Sequence, residues 1–175
     1  MVTVNATINL LPLIYLGDDL MQSQLYPYLA FENAKTAIAY YQRVFGATDI
    51  YRLSPTPEQA QQFGLPADAD LNNLTMHAGF SILGTKFECA DAFQGTPKPS
   101  AQITLMLDIN SEDAASAQAA TAFYQQLVDS GEVTITMPFE TQFWGGKMGQ
   151  FTDAFGITWM LHTSPWSIAA DHQPS

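Results

Sequence analysis

Basic side chains are scarce in this chain. Lys35, Arg43, Arg52, Lys86, Lys98 and Lys147 are the full set of six, against 17 acidic residues and a formal charge of −11. Such a field repels a phosphate backbone, and the six cations form no cluster, so neither nucleic acid nor an anionic membrane is expected as a partner. Cysteine is nearly absent too. Cys89 alone can form no internal disulfide and no metal cluster of paired thiolates. Long apolar runs are also missing. The stretch Ile8 to Leu16 contains Pro12, is too short to span a bilayer and has no basic flank before it, so a cytoplasmic protein is expected. Charged residues make up 13% and apolar ones 47%, which argues against disorder and leaves few charges to cover apolar patches. A buried self-association surface fits that balance.

What is present reads as short elements of both kinds, within a length of 175 residues that can bury a real core. Tyr26 to Phe31 is an aromatic-rich strand whose opening tolerates Pro27. Asn33 can cap a helix whose stripe is Ala34, Ala37, Ile38, Tyr41, Val44 and Phe45, with Gly46 as its stop. Thr48 to Leu53 is a second strand. Ser54 to Asn72, with three prolines, is an excursion holding one helical turn around Glu58 to Phe63.

Asn73 to Ala90 alternates as a hairpin, with Gly84-Thr85 as a two-residue turn. That turn sets Ser81 opposite Glu88 and Ile82 opposite Phe87. Thr75, His77, Ser81 and Glu88 then share a polar face, and Met76, Phe80, Ile82, Phe87 and Cys89 an apolar one. In this register His77 stands roughly 13 Å along the strand from Ser81, out of reach of Glu88 without a bend.

After a linker at residues 92–100 the order repeats. Gln102 to Ile109 is a strand, Ser111 opens a helix ending near Ser130-Gly131, and Glu132 to Phe139 alternates. Met148 to Asp153 and Ile157 to Thr163 close the half around the turn Asp153-Ala154-Phe155-Gly156. Ala39-Tyr40-Tyr41-Gln42-Arg43-Val44 in the first helix parallels Ala122-Phe123-Tyr124-Gln125-Gln126-Leu127 in the second, which suggests a duplicated unit.

Several stretches, in this order, carry a resemblance. They are Tyr28-Leu29-Ala30-Phe31, Ala37-Ile38-Ala39-Tyr40-Tyr41, Val44-Phe45-Gly46-Ala47, His77 with the Ile82-Leu83-Gly84 turn, Phe143-Trp144-Gly145 with Gly149, and Asp153-Ala154-Phe155-Gly156-Ile157-Thr158-Trp159. Together they make the chain similar to the vicinal oxygen chelate superfamily (glyoxalase, bleomycin-resistance protein, extradiol dioxygenase), and most to its PhnB-like branch. The resemblance implies an α+β fold of two βαβββ modules, residues 25–91 and 101–164, forming a cupped, mixed and antiparallel sheet, commonly in a homodimer. Residues 1–24 and 165–175, with His172, fall outside it. Metalloenzymes of the superfamily place ligands at four positions, which carry over to Tyr26, Glu88, Gln102 and Met160. Only Glu88 suits a hard divalent metal, so the resemblance implies a dismantled metal site and no cofactor. Relatives are often described as 3-demethylubiquinone methyltransferase-like, but no glycine-rich turn after an opening strand would cradle a nucleotide-like cofactor.

The residues expected at the cleft are Tyr28, His77, Glu88, Gln102, Phe143, Trp144 and Met160. His77 is of the residue type most used in acid–base work, and a structural or solvent-facing histidine is the alternative. Glu88 is either a cleft base or a charge on a strand. Phe143-Trp144-Gly145-Gly146 is either an aromatic wall over a planar ligand or core packing. His162, on the face of Met160, would complete a relocated metal set with His77 and Glu88. The function expected is the binding of a small molecule without the usual divalent metal. The alternatives are a lyase or dioxygenase type of enzyme, with a relocated metal or with metal-free acid–base catalysis at His77 and Glu88, and a pure interaction module. Trp159 and Cys89 are expected in the core.

Overall fold

The computed structural model describes residues 23–167. Most of the N-terminal extension, the run from Ile8 to Leu16, and the tail with His172 lie outside the described residues. The chain order is β1 (Tyr28–Phe31), α1 (Ala34–Val44), β2 (Thr48–Leu53), α2 (Pro57–Gln62), a single 3-10 turn (Leu71–Asn73), β3 (His77–Ile82) and β4 (Thr85–Asp91). It continues through β5 (Leu105–Asn110), α3 (Ala114–Ser130), β6 (Thr134–Thr141), β7 (Lys147–Thr152) and β8 (Thr158–Ser164). The two four-stranded sheets have the same order, β1-β4-β3-β2 and β5-β8-β7-β6. In each, the first strand runs parallel to the last and the remaining pairs are antiparallel. The fold is α+β, made of two βαβββ halves.

Local chemistry explains the helix ends. Asn33 caps α1 by accepting from the Thr36 amide at 2.8 Å, and Gly46 follows the helix at φ +63°. The second long helix is capped by Asp113 rather than Ser111, its carboxylate accepting from the Ser116 amide at 2.9 Å. An anionic acceptor makes the stronger cap.

One aromatic core joins the halves. The Tyr41 ring stacks on Phe80 of β3 at 5.0 Å and meets Trp159 of β8 at 6.1 Å. Phe87 of β4 meets the same indole at 5.3 Å, and Phe45 touches Phe123 of α3 at 5.8 Å. The long helices therefore lie between the sheets, against the inner face of each. A buried carboxylate, Asp153, is the polar clamp of this core. It accepts from the Tyr41 hydroxyl at 2.6 Å, from the Trp159 indole at 2.9 Å and from the amides of Phe155 and Ile157 at 2.9 Å each. Tyr41 comes from the first half and Asp153 from the second, so the clamp ties the duplicated units together. Burial first, then the Asp153 charge and hydrogen bond, hold the Tyr41 phenol well above its usual range.

Tyr41→Phe keeps the ring and deletes one donor to a buried carboxylate. We expect a loss of about 1–3 kcal/mol in urea unfolding with an unchanged slope. A loss below about 0.5 kcal/mol, the size of an ordinary surface change, would contradict the clamp.

Candidate functional site

Strand alternation sends every second side chain of these sheets away from the common core. On β4, Phe87 and Cys89 face inward while Lys86 and Glu88 face outward. On β3, Phe80 and Ile82 face inward while His77, Gly79 and Ser81 face outward. The hairpin turn is Leu83-Gly84, with Ile82 opposite Thr85, instead of Gly84-Thr85. Both central residues have positive φ, +47° at Leu83 and +78° at Gly84, as the twist of a tight hairpin demands. Holding leucine there costs about 1 kcal/mol, which is why propensity alone favoured the other turn. The two-residue shift leaves the face assignment intact but moves Glu88 opposite Gly79. Thr75 is the exception: it precedes the strand and is fully buried, and its amide donates to Asp91 at 2.9 Å.

The shift brings His77 and Glu88 together. Their Nε2 and Oε2 atoms stand 3.2 Å apart. Tyr51 of β2 closes the group, its hydroxyl 3.0 Å from His77 Nε2 and donating a hydrogen bond to Glu88 Oε2. The other carboxylate oxygen takes the Lys86 ammonium at 2.7 Å. Tyr28, opposite Glu88 on β1, stacks on His77 at 6.0 Å. Burial alone pushes the Glu88 carboxyl up, but the hydrogen bonds from Lys86 and Tyr51, with the Lys86 and His77 charges, outweigh it and hold it below the usual range. The same hydrogen bond pushes the Tyr51 phenol to about 12, with burial and the Glu88 charge adding to it.

Two backbone features aim Tyr51. A bulge between Thr48 and Tyr51, with Asp49 at φ +51°, re-registers β2 on β3. Opposite Tyr51 stands Gly79, where a Cβ would lie 2.4 Å from the ring. Only glycine lets the phenol lie flat across β3. Tyr51 is the site residue that the sequence reading missed, and its signal was a glycine inside an otherwise well-patterned strand.

Phe143, Trp144 and Met160 belong to the other sheet. Phe143 and Trp144, edge to face at 4.8 Å, sit exposed in the loop between β6 and β7. That loop presses on β8: a Cβ on Gly146 would lie 3.1 Å from His162 Nε2. His162 Nδ1 pairs with Asp108 at 2.7 Å, its register partner on β5. Met160 stands opposite Met106, not Gln102, which lies exposed in the turn before β5. Likewise Tyr28, not Tyr26, stands opposite Glu88.

Phe87 and Trp159 meet in the shared core, so their chain neighbours Glu88 and Met160 leave from the outer faces of different sheets. Within one chain the expected residues form two groups, and His162 joins neither His77 nor Glu88. Among the described residues no three His, Cys, Asp or Glu side chains are placed to hold a metal. The donors gathered at Glu88 do not fit a divalent ion either: one carboxylate and one imidazole stand with two phenols and an ammonium, short of the three or more protein ligands such a site takes. An open groove of about 1040 Å³ runs beside β1, lined by Phe31, Ile103, Leu105, Phe155 and Ile157. It adjoins the charged cluster at Tyr26 and Tyr28.

Protein YjdN of Escherichia coli K12 is 30% identical over 144 residues, covering 79% of this chain and 93% of that one. A solved PhnB protein from Bacillus cereus superposes with a TM-score of 0.50 at 20% identity, over 81% of this chain and all of that one. The chain belongs to the family of YjdN, and its fold is that of the vicinal oxygen chelate (glyoxalase-like) proteins. It matches no family model. The same fold extends to FosX of Listeria monocytogenes, a fosfomycin resistance protein solved with Mn(II) and sulfate. FosX has a TM-score of 0.52 and 15% identity, over 86% of this chain and 99% of that one. Among the described residues of this chain, no helix is long and apolar enough to cross a membrane.

Glu88→Gln removes the charge and leaves at most a weaker, neutral acceptor for the Tyr51 proton. The phenol should fall from about 12 toward its ordinary 10, read by ¹³C NMR titration of the tyrosine rings and assigned with Tyr51→Phe. Gly79→Ala should bring the same fall with Glu88 intact, by lifting the ring. A phenol still near 12 in both variants would refute this account of the cluster.

Proposed function

We propose that the chain binds a small molecule against the outer face of its first sheet, at Tyr28, Tyr51, His77 and Glu88, without a divalent metal. The observation that carries this reading is the pre-assembled cluster around Glu88, a buried carboxylate whose oxygens are already held by a phenol and an ammonium. Convergent polar groups beside aromatic rings are the usual make-up of a ligand site. The second sheet's outer face, with Met160, Phe143 and Trp144, serves as the other wall when a second copy of the chain docks. Exposed Tyr28 and Leu53 on the first sheet and Met106 and Phe143 on the second support such a homodimer, since large apolar side chains left open to water are what an interface covers.

One observation favours a second reading, metal-free acid–base catalysis. His77 and Glu88 touch through adjacent atoms and share the Tyr51 hydroxyl, a geometry able to pass a proton along a short path. In that reading Glu88 is the base, and Tyr51 or His77 returns the proton.

Sedimentation of the purified protein should give a dimer, and elemental analysis should find no stoichiometric zinc, iron or manganese. A ligand at about 100 times its dissociation constant should add about 2.7 kcal/mol of stability, and a charge at the interface, as in Met106→Glu, should abolish dimer and shift together. A stoichiometric metal lost in Glu88→Gln would overturn the metal-free reading. A monomer that keeps its full ligand response would overturn the two-chain cleft.

A further inference from the structure

The Lys86 ammonium occupies the cluster in a particular manner. It bonds Glu88 Oε1 at 2.7 Å, lies over the Tyr26 ring with its Nζ 4.8 Å from the centroid, and faces the Tyr51 ring at 5.9 Å. A carboxylate floor with tyrosine walls is the arrangement that recognises organic cations, because the electron-rich ring faces attract positive charge and the carboxylate offsets its loss of water. Glu88 is buried, whereas the Lys86 side chain is 45% exposed on a flexible stem. The cage is the fixed part and the lysine the movable one. Tyr28 extends the aromatic wall, stacked on His77 and open to solvent. The surrounding charge points the same way: with a formal charge of −11 the chain draws cations and repels anions over its whole surface.

We infer that the ligand of this site is an organic ammonium compound, whose cationic head takes the position of Lys86 Nζ between Glu88 and the rings of Tyr26 and Tyr51. The inference rests on the reading that this sheet face binds a small molecule, and it adds the chemical class. Lys86 acts as an intramolecular stand-in that fills the cage when no ligand is bound and swings into solvent when one arrives. The competing assignment is an anion held by Lys86 itself, and the two make opposite predictions for the same substitution.

The test is calorimetry on the full chain with three probes: choline, its neutral isostere 3,3-dimethylbutan-1-ol, and methylphosphonate. Choline should bind the wild type at least about tenfold more tightly than the isostere. Lys86→Gln should tighten choline binding by a further factor of about ten, because the internal competitor is gone. Glu88→Gln and Tyr51→Ala should each weaken it by about tenfold or more, with circular dichroism confirming the fold. The gain in Lys86→Gln cannot come from misfolding, so it decides the matter if either of the other variants is unstable. Methylphosphonate binding that disappears in Lys86→Gln would overturn the cation assignment while leaving small-molecule binding at this face intact. No binding of any probe to the wild type or to Lys86→Gln would overturn it as well, and the dimer's ligand response would then judge the broader reading separately.

Discussion

A carboxylate sunk into a sheet face must be neutralised, and in this protein Glu88 is neutralised by the chain itself. One oxygen takes the Lys86 ammonium and the other the Tyr51 phenol, with His77 in contact. Burying a lone carboxylate would raise its pKa or destabilise the fold, and these partners reverse the sign of that effect. The surrounding features follow from it. Gly79 must lack a side chain so that Tyr51 can cross β3, the bulge at Asp49 must bring Tyr51 opposite Gly79, and the positive-φ turn at Leu83-Gly84 must set Glu88 opposite that same glycine.

Duplication sets where this chemistry can be used. Each half turns its apolar face toward the common core around Tyr41, Trp159 and Phe87, so each half turns its polar face outward. The first half presents Glu88 and its partners. The second presents Met160 and Met106, with the Asp108–His162 pair beside the Trp144 loop. One duplicated unit has thus come to carry a charged face in one half and a thioether-rich face in the other. Methionine and carboxylate suit different ligands, and an organic molecule with a polar head and an apolar body matches both.

Much of the fold was legible in the sequence because it rests on local rules. Asn33 as a cap, Gly46 as a stop, the alternation in β3 and β4, and the repeated strand–helix order are properties of short stretches. The face assignment of His77 and Glu88 survived the error in the turn because a two-residue slip preserves parity. Their expected separation did not survive it, since distance along a strand depends on register and register depended on a strained leucine. Tyr51 was hidden for a different reason. Its role arises from a bulge on one strand and a missing Cβ on another, neither of which local periodicity encodes. The single cleft expected from the resemblance divided in two because periodicity tells which side chains leave the core, but not that both sheets share one core.

The most direct test of the central interaction is a ¹³C NMR titration of the Glu88 side-chain carboxyl, assigned with Glu88→Gln. The account predicts a midpoint below the ordinary glutamate value of 4.5, moving upward in Lys86→Gln as burial reasserts itself. The depressed value means that these bonds stabilise the fold above the ordinary carboxylate range and are lost as pH falls through the Glu88 midpoint. A carboxyl titrating at or above 4.5 in the wild type, indifferent to Lys86, would contradict it.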